Sequence, residues 1–169
     1  MAKAWEQAAN EAATPRTRKV ITRTALTLGP GRGGIFDTLL GLVRRGLGGQ
    51  VASGRQMVSW IHEQDYIAAT DWLIATPHIN GIINLAAPNP LPMNDFMREL
   101  RRAWGMPIGL PSTPWMLEIA SFFMQTETEL ILKSRYVLPG RLLAEGFTLQ
   151  HAQWAQATDD LCKRWRVAK

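Results

Sequence analysis

The chain has 169 residues, of which 46% are hydrophobic and 20% are charged, and this composition is typical of a globular domain and not of a disordered chain. It contains no run of eighteen apolar residues, and its first residues lack the apolar block of a signal peptide, so we expect a cytoplasmic protein without a membrane span. Its single cysteine, Cys162, argues against a disulfide framework, and no spacing of Cys, His and Asp indicates a metal site.

The formal net charge of +5 raises the question of nucleic-acid binding. The basic residues fall in small separate groups, and no recognition motif accompanies them. On predicted helices these groups lie opposite apolar stripes, as expected for a solvated face. We therefore do not favour a nucleic-acid partner, and a weak attraction to anionic ligands is compatible with either interpretation.

In the first half of the chain, predicted strands alternate with predicted helices. The alanine-rich residues 2–13 favour a helix that stops at Thr14-Pro15, and the β-branched residues 20–28 favour a strand. Apolar spacing and the positions of glycine and proline predict the next elements: a helix from residue 35 that ends at the glycines of 46–49, a short strand over 57–61, a helix over about 64–75 and a strand over 82–86. This alternation indicates βαβ units and a parallel sheet.

The second half is predicted to be mostly helical. After Pro92 and Asn94, which can cap a helix, apolar residues recur at helical spacing up to Gly105. Three further helices are predicted: a long one over about 114–133, a short one after Pro139, and a final one with Trp154, Ala157, Leu161 and Trp165 on one side. We expect the first unit to cover residues 1–90 and the second, helical unit to cover residues 91–169.

A glycine-rich segment fits the G-x-G-x-x-G pattern of dinucleotide-binding loops. The segment is Gly29-Pro30-Gly31-Arg32-Gly33-Gly34, between a predicted strand and a predicted helix. A dinucleotide site also needs an acidic residue on the next strand to hold the ribose, and residues 46–56 contain no Asp or Glu. Pro30 also removes one amide donor from the loop. We therefore interpret the segment as a turn between a strand and a helix.

Four segments, taken in order, resemble the extended short-chain dehydrogenase/reductase family in its epimerase-like branch, the NAD-dependent epimerase/dehydratase proteins with a small C-terminal domain of the DUF1731 type. The segments are Arg23-Thr24-Ala25-Leu26-Thr27-Leu28-Gly29-Pro30, the run Trp60-Ile61-His62 with Asp65, Asn84-Leu85-Ala86-Ala87-Pro88-Asn89-Pro90, and residues 134–142 with Gly146-Phe147. The resemblance implies an α/β fold: the C-terminal part of a Rossmann-like parallel sheet, with two core strands and a short strand, followed by a mostly helical small substrate domain.

The resemblance also implies a ligand and a set of contact residues. It implies NAD or NADP as cofactor, with Thr24 as a cofactor contact, and a nucleotide-sugar-like substrate. The implied substrate contacts are Arg55, His62, Asn84 and Asn89. Two of these have an alternative role, since His62 is more often a hydrogen-bonded turn anchor and Asn89 is equally suited to forming a turn. For Asp65, a role in capping or in the first turn of a helix is the favoured interpretation.

The catalytic pair of the family is missing from its expected positions. In this family a Tyr is followed four residues later by a Lys, but Thr70 follows Tyr66 and Gly140 follows Tyr136 at that spacing. The family's cofactor loop would lie on a strand before the start of this chain. We therefore expect no catalytic residue here, and we expect that the chain alone binds no cofactor and is inactive.

Two functions remain open at this point. The first is the substrate-side half of an NAD(P)-dependent epimerase-like or reductase-like protein. The second is a non-catalytic binding or protein-interaction module that keeps the fold. In either case the strand over 20–28 would lack one neighbour, so we expect pairing with a separate chain that carries the cofactor half, or self-association through the exposed sheet edge.

Overall fold

The computed structural model describes residues 2–50, 53–110 and 134–168. The elements in chain order are α1 (Ala2–Glu11), β1 (Val20–Thr24), β2 (Leu26–Leu28), α2 (Ile35–Arg44), β3 (Met57–Val58), β4 (Trp60–His62), α3 (Glu63–Ala75), β5 (Gly81–Leu85), β6 (Leu91–Pro92), α4 (Met93–Trp104), α5 (Gly140–Ala144) and α6 (Trp154–Val167). The helix predicted over 114–133 lies outside the described residues. The fold is α/β and corresponds to the C-terminal portion of a Rossmann-like fold.

The strand predicted over 20–28 changes its partner part-way along. Its first part, β1, pairs in parallel with β5, and its second part, β2, pairs in parallel with β4. The change occurs at Ala25, whose N–H donates to the Leu85 carbonyl over 2.9 Å, while the Leu26 N–H donates to the Ser59 carbonyl over 3.1 Å. The strand predicted over 57–61 is divided in the same way at Ser59. Its first part, β3, pairs antiparallel with β6.

The larger core cluster joins α2, α4 and α6 to the first strands. Its centre is aromatic, since the Trp154 ring stacks on Phe96 at 3.9 Å and meets Trp60 edge-on at 5.0 Å. The Trp154 Nε1–H is satisfied within the core by the Phe96 carbonyl at 2.9 Å. Residues from before and after position 90 thus share one core, and the division at that position stays a prediction.

Helix α4 has the buried stripe that its sequence predicts, but not the predicted cap. Met93, Phe96, Met97 and Leu100 are buried, and Gly105 ends the helix in the left-handed conformation, with φ of 83°. The residue at the N-cap position is Pro92, so the expectation of a cap by Asn94 is wrong. Backbone carbonyls take the place of a side-chain cap, because the N–H groups of residues 93 and 94 donate to the carbonyls of residues 56 and 54, both over 2.9 Å.

Asp65 connects α3 to the segment before α6. It lies in the first turn of α3, as expected, but its carboxylate is only 1% exposed and is not a cap. Its two oxygens accept the N–H groups of Gln150 and His151, at 2.7 and 2.9 Å. The buried charge is thereby satisfied by two backbone donors from a distant part of the chain.

Candidate functional site

A cavity of about 150 Å³ opens where the chain changes partner between β1 and β2. Thr24 and Ala25 form one wall, Ser59 and Phe96 lie on another, and the segment around Arg135 closes a third side. The cavity is therefore at the carboxyl end of β1, the end at which open α/β sheets bind their ligands. Its lining is mostly apolar with a few polar groups, as in small-molecule sites.

Ser59 holds one wall of this cavity in place. It is 5% exposed, its hydroxyl donates to the Arg135 carbonyl at 2.9 Å, and it accepts the Val137 N–H at 2.8 Å. The same segment is held to β3 by the Arg135 N–H, which donates to the Met57 carbonyl at 2.9 Å. Sequence reasoning missed both Ser59 and Arg135. A serine between the buried residues Val58 and Trp60 is a usable signal, because a buried hydroxyl needs hydrogen-bond partners.

Of the five predicted contact residues, the structure places only Thr24 on the cavity wall, with its side chain exposed. Arg55 is exposed on the loop before β3. The Asn84 amide donates to the Leu138 carbonyl at 3.2 Å, next to the cavity segment. The Asn89 amide donates to the Ala152 carbonyl at 3.1 Å. The structure does not bring these residues together in one pocket, and their ligand contacts stay predictions.

His62 lies away from the cavity and is fully buried at the start of α3. Its Nδ1 accepts the Gln64 N–H at 3.1 Å, so Nδ1 carries no proton. The proton is then on Nε2, which donates to the Asp160 carboxylate at 3.1 Å. Burial, and secondarily the charge of His151, lower the pKa of His62 below its ordinary value. This geometry matches the turn anchor that was the alternative role of His62.

The side chains of His62, His151 and Asp160 bring three possible metal-ligand atoms within 4.8 Å of one another. In His62, Nδ1 accepts a hydrogen bond and Nε2 carries the only ring proton of the neutral imidazole. A metal bound at Nε2 would displace that proton. The Arg164 guanidinium also lies 3.6 Å from the Asp160 carboxylate. The cluster therefore works as a hydrogen-bond network, with the two imidazole rings stacked at 3.9 Å.

Carboxylates lie at both ends of the glycine-rich segment. The Gly33 N–H donates to the Asp37 carboxylate at 2.9 Å, so this donor is already used by the chain itself. At the other end the Glu63 carboxylate occupies the position that a side chain on residue 29 would take. The Gly33 donor is already used and the Glu63 carboxylate lies at residue 29, so the loop is a poor site for the diphosphate of a dinucleotide, which supports our interpretation of the segment as a turn.

Comparisons with known proteins agree with this architecture. The family model described as Domain of unknown function (DUF1731) matches residues 113–161. The epimerase family protein Mb2239 of Mycobacterium bovis is 33% identical over 150 residues, which are 87% of this chain and 48% of that protein. The epimerase family protein SDR39U1 of Bos taurus is 35% identical over 144 residues, which are 85% of this chain and 48% of that protein.

Among solved structures, human epimerase family protein SDR39U1 (isoform2) with NADPH superimposes with a TM-score of 0.83 at 27% identity, over 96% of this chain and 54% of that chain. Over most of its length the chain is therefore similar to about half of an epimerase family protein. A structure of the NDP-hexosamine 5,6-dehydratase TunA, with a TM-score of 0.70 and 16% identity, shows the same fold. This chain spans about half the length of the curated relatives it matches.

The described part of the chain contains no helix that is both long enough and apolar enough to cross a membrane. In that part β1 pairs with β5 on one side only. Three residues of β1, Thr22, Arg23 and Thr24, are exposed, and Arg23 is paired with Glu6 of α1 at 2.7 Å. This strand therefore offers a further sheet edge to another segment or chain.

Proposed function

We infer that the chain is the substrate-side half of an NAD(P)-dependent epimerase-like or reductase-like protein that acts on a nucleotide-sugar-like substrate. The observation that carries this proposal is the cavity at the carboxyl end of β1, in a fold that superimposes on an epimerase family protein crystallised with NADPH. Thr24 would face the cofactor, and the wall held by Ser59 would orient the substrate. NAD or NADP supplies the hydride chemistry when a complete protein is assembled.

The residues of this chain would bind and orient the substrate, and they would not exchange a proton with it. Neither tyrosine is followed by a lysine at the spacing that acidifies the phenol in this family. The proton-transferring pair and the cofactor loop would come from a partner half. The unpaired side of β1 is the place where such a half would add its neighbouring strand, because the exposed edge presents free backbone donors and acceptors.

The first test is a calorimetric titration of the purified chain with UDP-glucose. A Thr24→Tyr substitution should fill the cavity, and Thr22→Tyr is the matched control because Thr22 is exposed on the same strand and does not line the cavity. The proposal predicts saturable binding that Thr24→Tyr weakens at least ~10-fold, the effect of losing about 1.4 kcal/mol of contact. No binding, or equal binding by the two variants, would contradict it.

A non-catalytic interaction module is the second candidate, and the one-sided pairing of β1 favours it. In that case the sheet edge itself is the functional surface and the cavity is empty space. Light scattering across a concentration series separates the two. An interaction module that works through this edge should self-associate or capture a strand-donating partner, and Thr22→Pro, which removes a backbone donor at an exposed position, should reduce the association.

A further inference from the structure

A second concave site lies on the surface, where one face of α2 meets the last turn of α6. It is a groove of about 470 Å³, which we call the arginine groove, lined by Arg32, Asp37, Gly41, Arg44 and Arg45, with Gly33 and Thr38. None of these residues lines the cavity beside β1. Residues 37, 41, 44 and 45 share one face of the helix because they are spaced by four and three positions.

Two of the three arginines of this groove, Arg32 and Arg44, lie over the Trp165 ring. The guanidinium carbon of Arg32 lies 3.7 Å from the centre of the Trp165 ring, and that of Arg44 lies 4.7 Å from the same centre. A guanidinium whose flat face lies over a ring remains positively charged, and the N–H groups at the edge of the guanidinium can still donate hydrogen bonds. Two of the three groove arginines are thus held around one indole ring.

The positive charge of the groove is only partly balanced by the described part of the chain, in which the Arg32 guanidinium lies 4.0 Å from the Asp37 carboxylate. Asp37 is its one lining carboxylate, and that group already accepts the Trp165 Nε1–H at 2.7 Å and the Gly33 N–H at 2.9 Å. Among the described residues, Arg44 and Arg45 form no ion pair, and Arg45 donates to the carbonyl of Gly41 in its own helix at 3.2 Å. With three arginines and one aspartate, the lining has a formal charge of +2.

Two other exposed arginines in the described ranges differ from these. Arg98 pairs with Asp95 at 2.5 Å, and Arg102 pairs with Glu99 at 2.8 Å and with Asp159 at 3.2 Å. Arg16 and Arg55 are also exposed and form no ion pair within the described ranges, but they do not line the groove, which brings Arg44 and Arg45 together in one concave place. A flat basic face would suit a membrane or a nucleic-acid strand, whereas a concave site of this size suits a small anion.

We propose that the arginine groove binds the di- or triphosphate group of a small molecule. Arg44 and Arg45 donate charge-assisted hydrogen bonds to the phosphate oxygens, and Arg32 closes the other end. The Trp165 ring is already covered by guanidinium groups, so it does not offer a face for a nucleobase. The phosphate chain alone is thus the recognised group, whether it belongs to a nucleotide or to inorganic pyrophosphate.

The experiment is calorimetric titration of the full chain with inorganic pyrophosphate and, separately, with ADP. We expect one saturable site of similar affinity for both ligands. Arg45→Gln should weaken binding by roughly 10-fold or more, because a charge-assisted hydrogen bond is lost. Arg98→Gln is the matched control, which removes the same charge from an ion-paired arginine and should change the affinity less than about twofold. Melting temperatures of both variants show whether each is folded. Arg44→Gln is a second variant of the groove, and its pyrophosphate binding is measured in the same way.

Several results would overturn this proposal. One is the absence of pyrophosphate binding by the folded chain, and another is an equal loss in Arg45→Gln and Arg98→Gln, which would indicate diffuse attraction by net charge. A third is binding to anionic vesicles or single-stranded DNA without any binding to pyrophosphate. Thr24→Tyr should leave pyrophosphate binding unchanged. UDP-glucose also carries a diphosphate, so its titration into Thr24→Tyr and Thr22→Tyr is repeated with excess pyrophosphate present, which separates binding at the substrate cavity from binding in the groove.

Discussion

Replacing Asp65 with Asn should cost the protein much more stability than its change in size suggests. The carboxylate accepts two backbone N–H groups in a site that is 1% exposed. The amide keeps one acceptor but points an NH₂ group at the second donor, so one buried N–H loses its partner. An unsatisfied buried donor costs about 1–3 kcal/mol. The lost charge near the start of α3 adds about 0.3–1 kcal/mol. We expect a total loss of about 1–4 kcal/mol.

The assay is urea unfolding of the parent chain, Asp65→Asn and a matched control, Asp71→Asn. Asp71 is an exposed residue of the same helix, so its substitution makes the same chemical change outside the buried site. The control should change the free energy of unfolding by no more than about 0.5 kcal/mol. Equal values for the two variants would refute the conclusion that Asp65 ties α3 to the segment before α6.

Three other predictions concern single residues. Burial lowers the pKa of His62 from 6.5, so folding favours the neutral ring. The contribution of His62 to the free energy of unfolding is complete above pH 6.5 and is lost as the pH falls through the lower pKa of the folded state. Urea unfolding at several pH values should show this loss of stability, and the loss should be smaller in His62→Gln. Burial raises the pKa of Cys162 to about 11, so iodoacetamide should alkylate it roughly 100-fold or more slowly than it alkylates the unfolded chain, and comparable rates would contradict the burial. Gly49→Ala should cost about 1–3 kcal/mol in urea unfolding, because its Cβ would meet the Gly109 carbonyl, whereas Gly31→Ala, with nothing within 4 Å, should be nearly neutral.

Local patterns in the sequence predict the elements of this fold well. The stripe of α4 and the aromatic side of α6 are both buried as their spacing indicates, since apolar periodicity directly reports the face that packs on the core. The same patterns do not show partner exchange. Residues 20–28 form one extended, β-branched run, and only tertiary hydrogen bonding shows that it pairs first with β5 and then with β4.

The candidate sites were harder to predict, because each depends on contacts between distant segments. The cavity wall is set by Ser59 together with Arg135 and Val137, more than seventy residues later in the chain. The arginine groove depends on the position of Trp165 beside α2, which the spacing within either helix does not reveal. By contrast, the interpretation of the glycine-rich segment as a turn needed only local information, namely Pro30 and the lack of an acidic residue in the next segment.

The most direct test of the central claim, that this chain is a substrate-side half without its own cofactor site, is titration of the purified chain with NADPH. The Arg45→Gln variant is titrated in parallel, because it weakens contacts of a diphosphate with the arginine groove. The account predicts that any NADPH binding falls in Arg45→Gln by the same factor as pyrophosphate binding, roughly 10-fold or more. Saturable NADPH binding that is equally tight in the parent chain and in Arg45→Gln would contradict it, and would make the glycine-rich loop of residues 29–34 the cofactor site.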